Sequence, residues 1–138
     1  MSYTLKDEDG RIGPPELRSG EPVADAVKAT LAAGASAILF NCSQPGVMGE
    51  ALVAARRAIA ASDKPEAGLG ANAFLPEPPS DTPYAGISEI RKDLDPQNYL
   101  KWVKLWVEQG ATIVGGCCGI GPEHIAAIKA SREIVLAR

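Results

Sequence analysis

Three cysteines, Cys42, Cys117 and Cys118, are the residues of this chain best suited to chemistry. Their number is odd and two are neighbours, so a disulfide framework is not expected in a thiol-reducing compartment. Metal binding, reactive thiols and plain burial are the readings left open. Adjacent side chains normally point apart, but Gly115, Gly116 and Gly119 flank Cys117 and Cys118 and permit an irregular backbone that aims both sulfurs at one ion. Zinc is the natural ion for such a set, held by thiolates at about 2.3 Å, and a catalytic zinc keeps three protein ligands and one open position. Three thiolates leave the complex with roughly one net negative charge, so the ion is a weak Lewis acid for water but a good binder of another thiol. A thiol bound there loses its proton and stays nucleophilic, which is the chemistry of alkyl transfer to sulfur. His124, the sole histidine, lies shortly after Cys118 and would complete a closed Cys₃His zinc site, although its place in the first turn of a helix suits capping or packing better. A thiol–disulfide redox protein would call for a Cys-x-x-Cys motif, which the sequence lacks.

These residues fall where apolar runs end. Residues 2–5, 36–40, 68–74 and 112–115 read as strands, being short, apolar and rich in β-branched residues or flanked by glycine. Asn41, Cys42 and Ser43 follow the second, Asn72 lies near the end of the third, and Gly115-Gly116-Cys117-Cys118-Gly119 follows the fourth. Helical periods fill the intervals. Pro22 suits a first helical position, Val23, Val27 and Leu31 form a stripe, and Gly34 ends it; Met48, Leu52, Ala55 and Ile59 form the next, with Arg56 and Arg57 on the solvated side. Asp95-Pro96 caps a third helix striped by Tyr99, Trp102 or Val103, and Trp106 and closed by Gly110, where the tryptophans read as core. Pro122 opens the last helix, with Ile125 and Ile128 expected to be buried and Glu123 in the first turn. Strand and helix alternate four times, which gives an α/β protein with parallel strands and right-handed crossovers. Its active face lies at the carboxyl ends of the strands, where the three thiols would meet. Residues 75–94, with Pro76, Pro78, Pro79 and Pro83, exclude a continuous helix or central strand and read as either a lid or a surface excursion; Tyr84 within them is a candidate pocket residue.

Composition sets the outer bounds. The 138 residues amount to a single domain, and 14 Lys plus Arg against 17 Asp plus Glu give a net charge of −3. That charge, with a pI of 5.2, argues against binding nucleic acid or an anionic membrane. With 46% hydrophobic and 22% charged residues a packed core is expected. No apolar run approaches the roughly 18 residues of a membrane span, and residues 1–10 hold no secretory signal, so a cytoplasmic setting is expected.

Phe40-Asn41-Cys42-Ser43, then Ala71-Asn72-Ala73, then Gly115-Gly116-Cys117-Cys118-Gly119 with Pro122-Glu123-His124-Ile125 behind it, resemble the homocysteine S-methyltransferase family. The Gly-Gly-Cys-Cys-Gly run ahead of Pro-x-His-Ile is the most specific part. The resemblance implies transfer of a methyl group to homocysteine to give methionine, on a (β/α)₈ TIM barrel, with zinc on Cys42, Cys117 and Cys118. It also places Asn72 at the family's asparagine near the end of strand seven, so that Asn41 and Asn72 are candidate substrate-binding residues; otherwise they satisfy buried backbone groups. The chain corresponds to strands five to eight of that domain, and a complete barrel needs about 250 residues. Residues 1–138 are therefore expected to form one half-barrel, whose open edges and apolar inner face favour pairing with itself or with a complementary N-terminal half-barrel chain. The family's first strand and the carboxylate after its fourth, which help hold the amino-acid part of homocysteine, have no counterpart here. S-methylmethionine, S-adenosylmethionine, betaine and a methylfolate are all compatible methyl donors. The alternative is a non-catalytic zinc-binding half-barrel subunit or fragment that needs a partner chain.

Overall fold

A computed structural model describes residues 1–6, 13–73 and 94–132. The elements run β1 (Ser2–Tyr3), α1 (Val23–Ala32), β2 (Ala37–Asn41), α2 (Pro45–Ala60), β3 (Gly68–Asn72), α3 (Pro96–Glu108), β4 (Ile113–Val114) and α4 (Pro122–Ala130). The strands form one parallel sheet in the order β1-β2-β3-β4, so every strand neighbours the next in sequence. The helices pack side by side in the same order, α1 on α2, α2 on α3 and α3 on α4. Four parallel strands alternating with four helices in sequence order make this a half TIM-barrel-like unit. None of the described helices is long and apolar enough to cross a membrane.

Alternation along the strands decides which face is core. Ile38 and Phe40 pair in register with Leu69 and Ala71, and all four are buried. Leu39, Gly70 and Ile113 share the opposite face: a Cβ on Gly70 would lie 2.9 Å from Leu39 Cγ and 3.3 Å from Ile113 Cβ. Ile113 is 41% exposed there. The stripes Val23, Val27, Leu31 and Met48, Leu52, Ala55, Ile59 are buried as their 3.6-residue period requires, and Arg56 and Arg57 are exposed. Trp106 and Tyr99 are the largest fully buried side chains, and their rings meet edge to face at 5.7 Å. Asp95 caps α3, its carboxylate accepting hydrogen bonds from the N–H groups of Gln97 and Asn98, each at 2.9 Å.

Three local expectations need correction. Pro22 is the N-cap residue of α1 and lies outside its first turn, with ψ at 135°, because its extended conformation belongs to the bridge that joins Pro22 to Glu16. The stripe beginning at Met48 predicts a helix over about 48–62, but α2 runs Pro45–Ala60, because the fixed φ of Pro45 begins the helix before the stripe does. In α4 the buried residue is His124, whereas Ile125 is 46% exposed and Ile128 half-buried. The reason lies in hydrogen bonding: the His124 Nδ1 accepts from Gly121 N at 3.1 Å and its Nε2–H donates to Leu94 O at 2.8 Å, so burial leaves neither nitrogen unsatisfied. The lid-or-excursion segment with Tyr84, apart from the buried Leu94, and the end of the third strand at Phe74 fall on residues 74–93, outside the described residues.

Candidate functional site

The carboxyl ends of β2, β3 and β4 carry the polar residues singled out in the sequence. The β2 ladder ends at Asn41↔Asn72, and the next residue, Cys42, has φ of +52°, the one positive φ outside glycine among the described residues. A left-handed L-residue costs about 1–2 kcal/mol, so the surrounding turn must hold it there. Ser43 supplies that hold. It is fully buried, its Oγ accepts from Leu5 N at 2.8 Å, and its O–H donates to Asn41 O at 3.2 Å. The turn turns the Cys42 sulfur toward the loop that follows β4.

That loop is shaped by its glycines. Ile120 N–H donates to Cys117 O at 3.1 Å, closing a four-residue turn whose third residue, Gly119, has φ of +80° as a type II turn requires. Gly116 lies where any Cβ would collide with Ile120. At the root of the loop the Tyr99 hydroxyl donates to Gly115 O at 2.8 Å and accepts from Ala73 N at 3.2 Å, tying the ends of β3 and β4 together. Burial pushes the Tyr99 phenol up to about 12, so it keeps its proton and remains a donor.

These two segments bring the three sulfurs together. Cys42 and Cys117, 75 residues apart in sequence, have Cα atoms 6.1 Å apart and are joined as a disulfide. Their separation lies inside the range a disulfide spans, which the odd cysteine count did not reveal. This corrects the expectation against a disulfide: β3 stands between β2 and β4, and the loop after β4 carries Cys117 across its end to Cys42. Cys118 is a free, exposed thiol, and its sulfur lies 3.9 Å from that of Cys117. The described residues include no group of three or more His, Cys, Asp or Glu side chains arranged to hold a metal. Reduction returns two thiols beside the third. Thiolates about 2.3 Å from a tetrahedral zinc lie roughly 3.8 Å from one another, so the Cys117–Cys118 spacing and the all-sulfur donor set fit that ion.

The neighbouring amides differ in their partners. Asn41 Nδ2–H donates to Cys42 Sγ at 3.2 Å, whereas Asn72, across the ladder, has a buried Oδ1 with no hydrogen-bond partner among the described residues. Unpaired buried acceptors are uncommon. His124 is not among the sulfurs, since both its nitrogens are engaged elsewhere and its ring stands edge-on to Tyr99 at 5.8 Å. Sequence reasoning missed Ser43 and the Tyr99 hydroxyl. Ser43 had a faint signal as a small polar residue directly after Asn41-Cys42; Tyr99 had none, because it sits in an apolar stripe.

Residues 1–131 match the sequence model of the family described as homocysteine S-methyltransferase.

Proposed function

This chain belongs to the homocysteine S-methyltransferase family, and we propose that it transfers a methyl group to the thiol of homocysteine, forming methionine, with zinc held by Cys42, Cys117 and Cys118. The observation that carries this reading is the convergence of the sulfurs, Cys42 against Cys117 and Cys118 at 3.9 Å, at the strand ends where such folds place their chemistry. When bound, zinc supplies a docking position at which the acceptor thiol is held as a thiolate.

The chain's own residues do the positioning. Asn41 fixes the Cys42 sulfur through its N–H, a hydrogen bond that becomes charge-assisted once that sulfur is a thiolate. The unpartnered Asn72 Oδ1 is an acceptor suited to the ammonium group of an amino-acid substrate. Cys118, the exposed thiol, marks the side from which substrate arrives. In-line attack of the acceptor sulfur on a methyl group demands a good leaving group, so the donor carries positive charge or is protonated. Zinc on all three cysteines needs them reduced, which calls for a cytoplasmic setting. The exposed Ile113 and the single-sided pairing of β1 and β4 support association, either with a second copy or with a complementary half-barrel chain.

The test is methionine formation by the reduced, zinc-reconstituted protein with homocysteine and, separately, S-methylmethionine, S-adenosylmethionine, betaine and a methylfolate. Turnover with one donor, lost in Cys118→Ser, is expected. A folded, zinc-loaded protein that makes no methionine from any of them, alone or in its natural assembly, overturns the enzyme reading in favour of a non-catalytic zinc-binding subunit.

A further inference from the structure

We propose that Tyr99 is a positioning residue that sets where Cys117 and Cys118 stand relative to Cys42, an inference that rests on the zinc-thiol reading above. Its ring is ordinary core: fully buried, edge-on to Trp106 at 5.7 Å and to His124 at 5.8 Å, in a volume that a phenylalanine would fill as well. The hydroxyl is what packing does not explain. It spends both of its hydrogen-bonding capacities on backbone, donating to Gly115 O and accepting from Ala73 N.

Those two groups sit where the sheet stops. Pairing of β3 with β4 covers only Gly70↔Ile113 and Ala71↔Val114, and beyond it the chain after β4 departs toward the cysteines. The phenol bridges the gap, one residue past the end of each strand, and Gly115 is two residues from Cys117. Glycines at 115, 116 and 119 give the loop little stiffness of its own. Once reduction removes the Cys42–Cys117 tether, rigidity comes from α3. Tyr99 lies in its first turns, where its own N–H donates to Asp95 O at 2.9 Å and the Asp95 carboxylate caps the helix. His124 locks the same point from the other side by donating to Leu94 O at 2.8 Å. A capped helix start, a phenol and a glycine carbonyl thus form a continuous connection from α3 to the sulfurs. Partners bonded directly to metal ligands change metal affinity by about 10–100-fold when removed, and a bridge that acts through the backbone is expected at the lower end of that range.

The experiment compares Tyr99→Phe, which deletes only the hydroxyl, with Val103→Ala, which cuts a fully buried core residue one turn further along the same helix and leaves the bridge intact. In reduced protein titrated with Co²⁺, Tyr99→Phe is expected to bind about tenfold more weakly and to shift the thiolate-to-cobalt charge-transfer bands, while Val103→Ala binds as wild type. In reduced, metal-free protein, hydrogen exchange of the Ile120 amide, which closes the cysteine turn, is expected to quicken in Tyr99→Phe beyond its loss of global stability. In Val103→Ala it follows global stability alone. If Tyr99→Phe matches wild type in cobalt affinity, in spectrum and in Ile120 exchange, the inference is wrong. If wild type binds no Co²⁺, the zinc reading fails, and the metal-free exchange comparison still decides whether Tyr99 positions the loop.

Discussion

Replacing Gly119 by alanine isolates the contribution of one backbone torsion to the sulfur cluster. Gly119 is the third residue of the turn closed by Ile120 N–H on Cys117 O at 3.1 Å, and its φ is +80°. An alanine held there costs about 1–2 kcal/mol, and about 1.4 kcal/mol corresponds to a factor of ten, so the native turn loses roughly 5- to 30-fold in population. The loop has an alternative to bearing this strain. Cys118 is exposed, so the turn can open without uncovering core, and global stability then changes little while Cys118 leaves its place 3.9 Å from Cys117. Urea unfolding of the reduced, metal-free protein is therefore expected to show nearly the wild-type midpoint, while Co²⁺ titration shows affinity weakened about 5- to 30-fold. Gly115→Ala is the internal control. A Cβ at Gly115 meets nothing within 4 Å and the residue is not left-handed, so this variant should bind Co²⁺ as wild type does. Equal cobalt affinity in Gly119→Ala and Gly115→Ala would refute the claim that this turn gathers the sulfurs.

Other expectations concern the scaffold. Leu52 is fully buried on α2, and Leu52→Ala is expected to lower stability by about 2–5 kcal/mol in urea unfolding; a loss below 1 kcal/mol would contradict the assigned core. The Tyr99 phenol is pushed up to about 12 from 10.0 in the unfolded chain, so its contribution is complete below pH 10 and disappears as pH rises from there through 12. That window corresponds to about 3 kcal/mol, and the alkaline fall in stability should flatten in Tyr99→Phe. Asp95 is held below its ordinary 3.8, chiefly by the Asn98 N–H, so its stabilisation is present above that value and is lost as pH falls through the lower folded one. Asp95→Ala should weaken α3 at neutral pH and flatten the acid limb of a thermal-melt pH profile; an unchanged limb would remove the cap from the account.

What the sequence discloses and what it conceals divide along the range of the interactions. Stripes such as Val23, Val27, Leu31 and Met48, Leu52, Ala55, Ile59 are legible because helix period and burial are local facts, and so is the Asp95 cap. The parallel α/β order follows from the alternation of elements, and the chemistry-bearing residues at strand ends follow from that order. Helix α4 misleads because hydrophobicity alone favours Ile125. His124 takes the buried place instead through a hydrogen bond to Leu94, thirty residues away in sequence and invisible to any local pattern. Tyr99 conceals its role for the same reason, since its hydroxyl serves Ala73 and Gly115, just past the ends of two different strands. The Cys42–Cys117 bond was unexpected because cysteine parity and compartment speak to oxidation state, whereas the 6.1 Å between the Cα atoms is set by the path of the loop after β4 across the end of β3. The same closeness serves a disulfide and a shared metal alike.

The most direct test of that shared metal is the stoichiometry and absorption spectrum of cobalt bound to the fully reduced protein. The account predicts one Co²⁺ per chain with charge-transfer intensity appropriate to three thiolates, displaced by Zn²⁺ and diminished separately by Cys42→Ser, Cys117→Ser and Cys118→Ser. Cobalt that fails to bind, or whose spectrum is indifferent to any one of these substitutions in a folded and reduced sample, would contradict it.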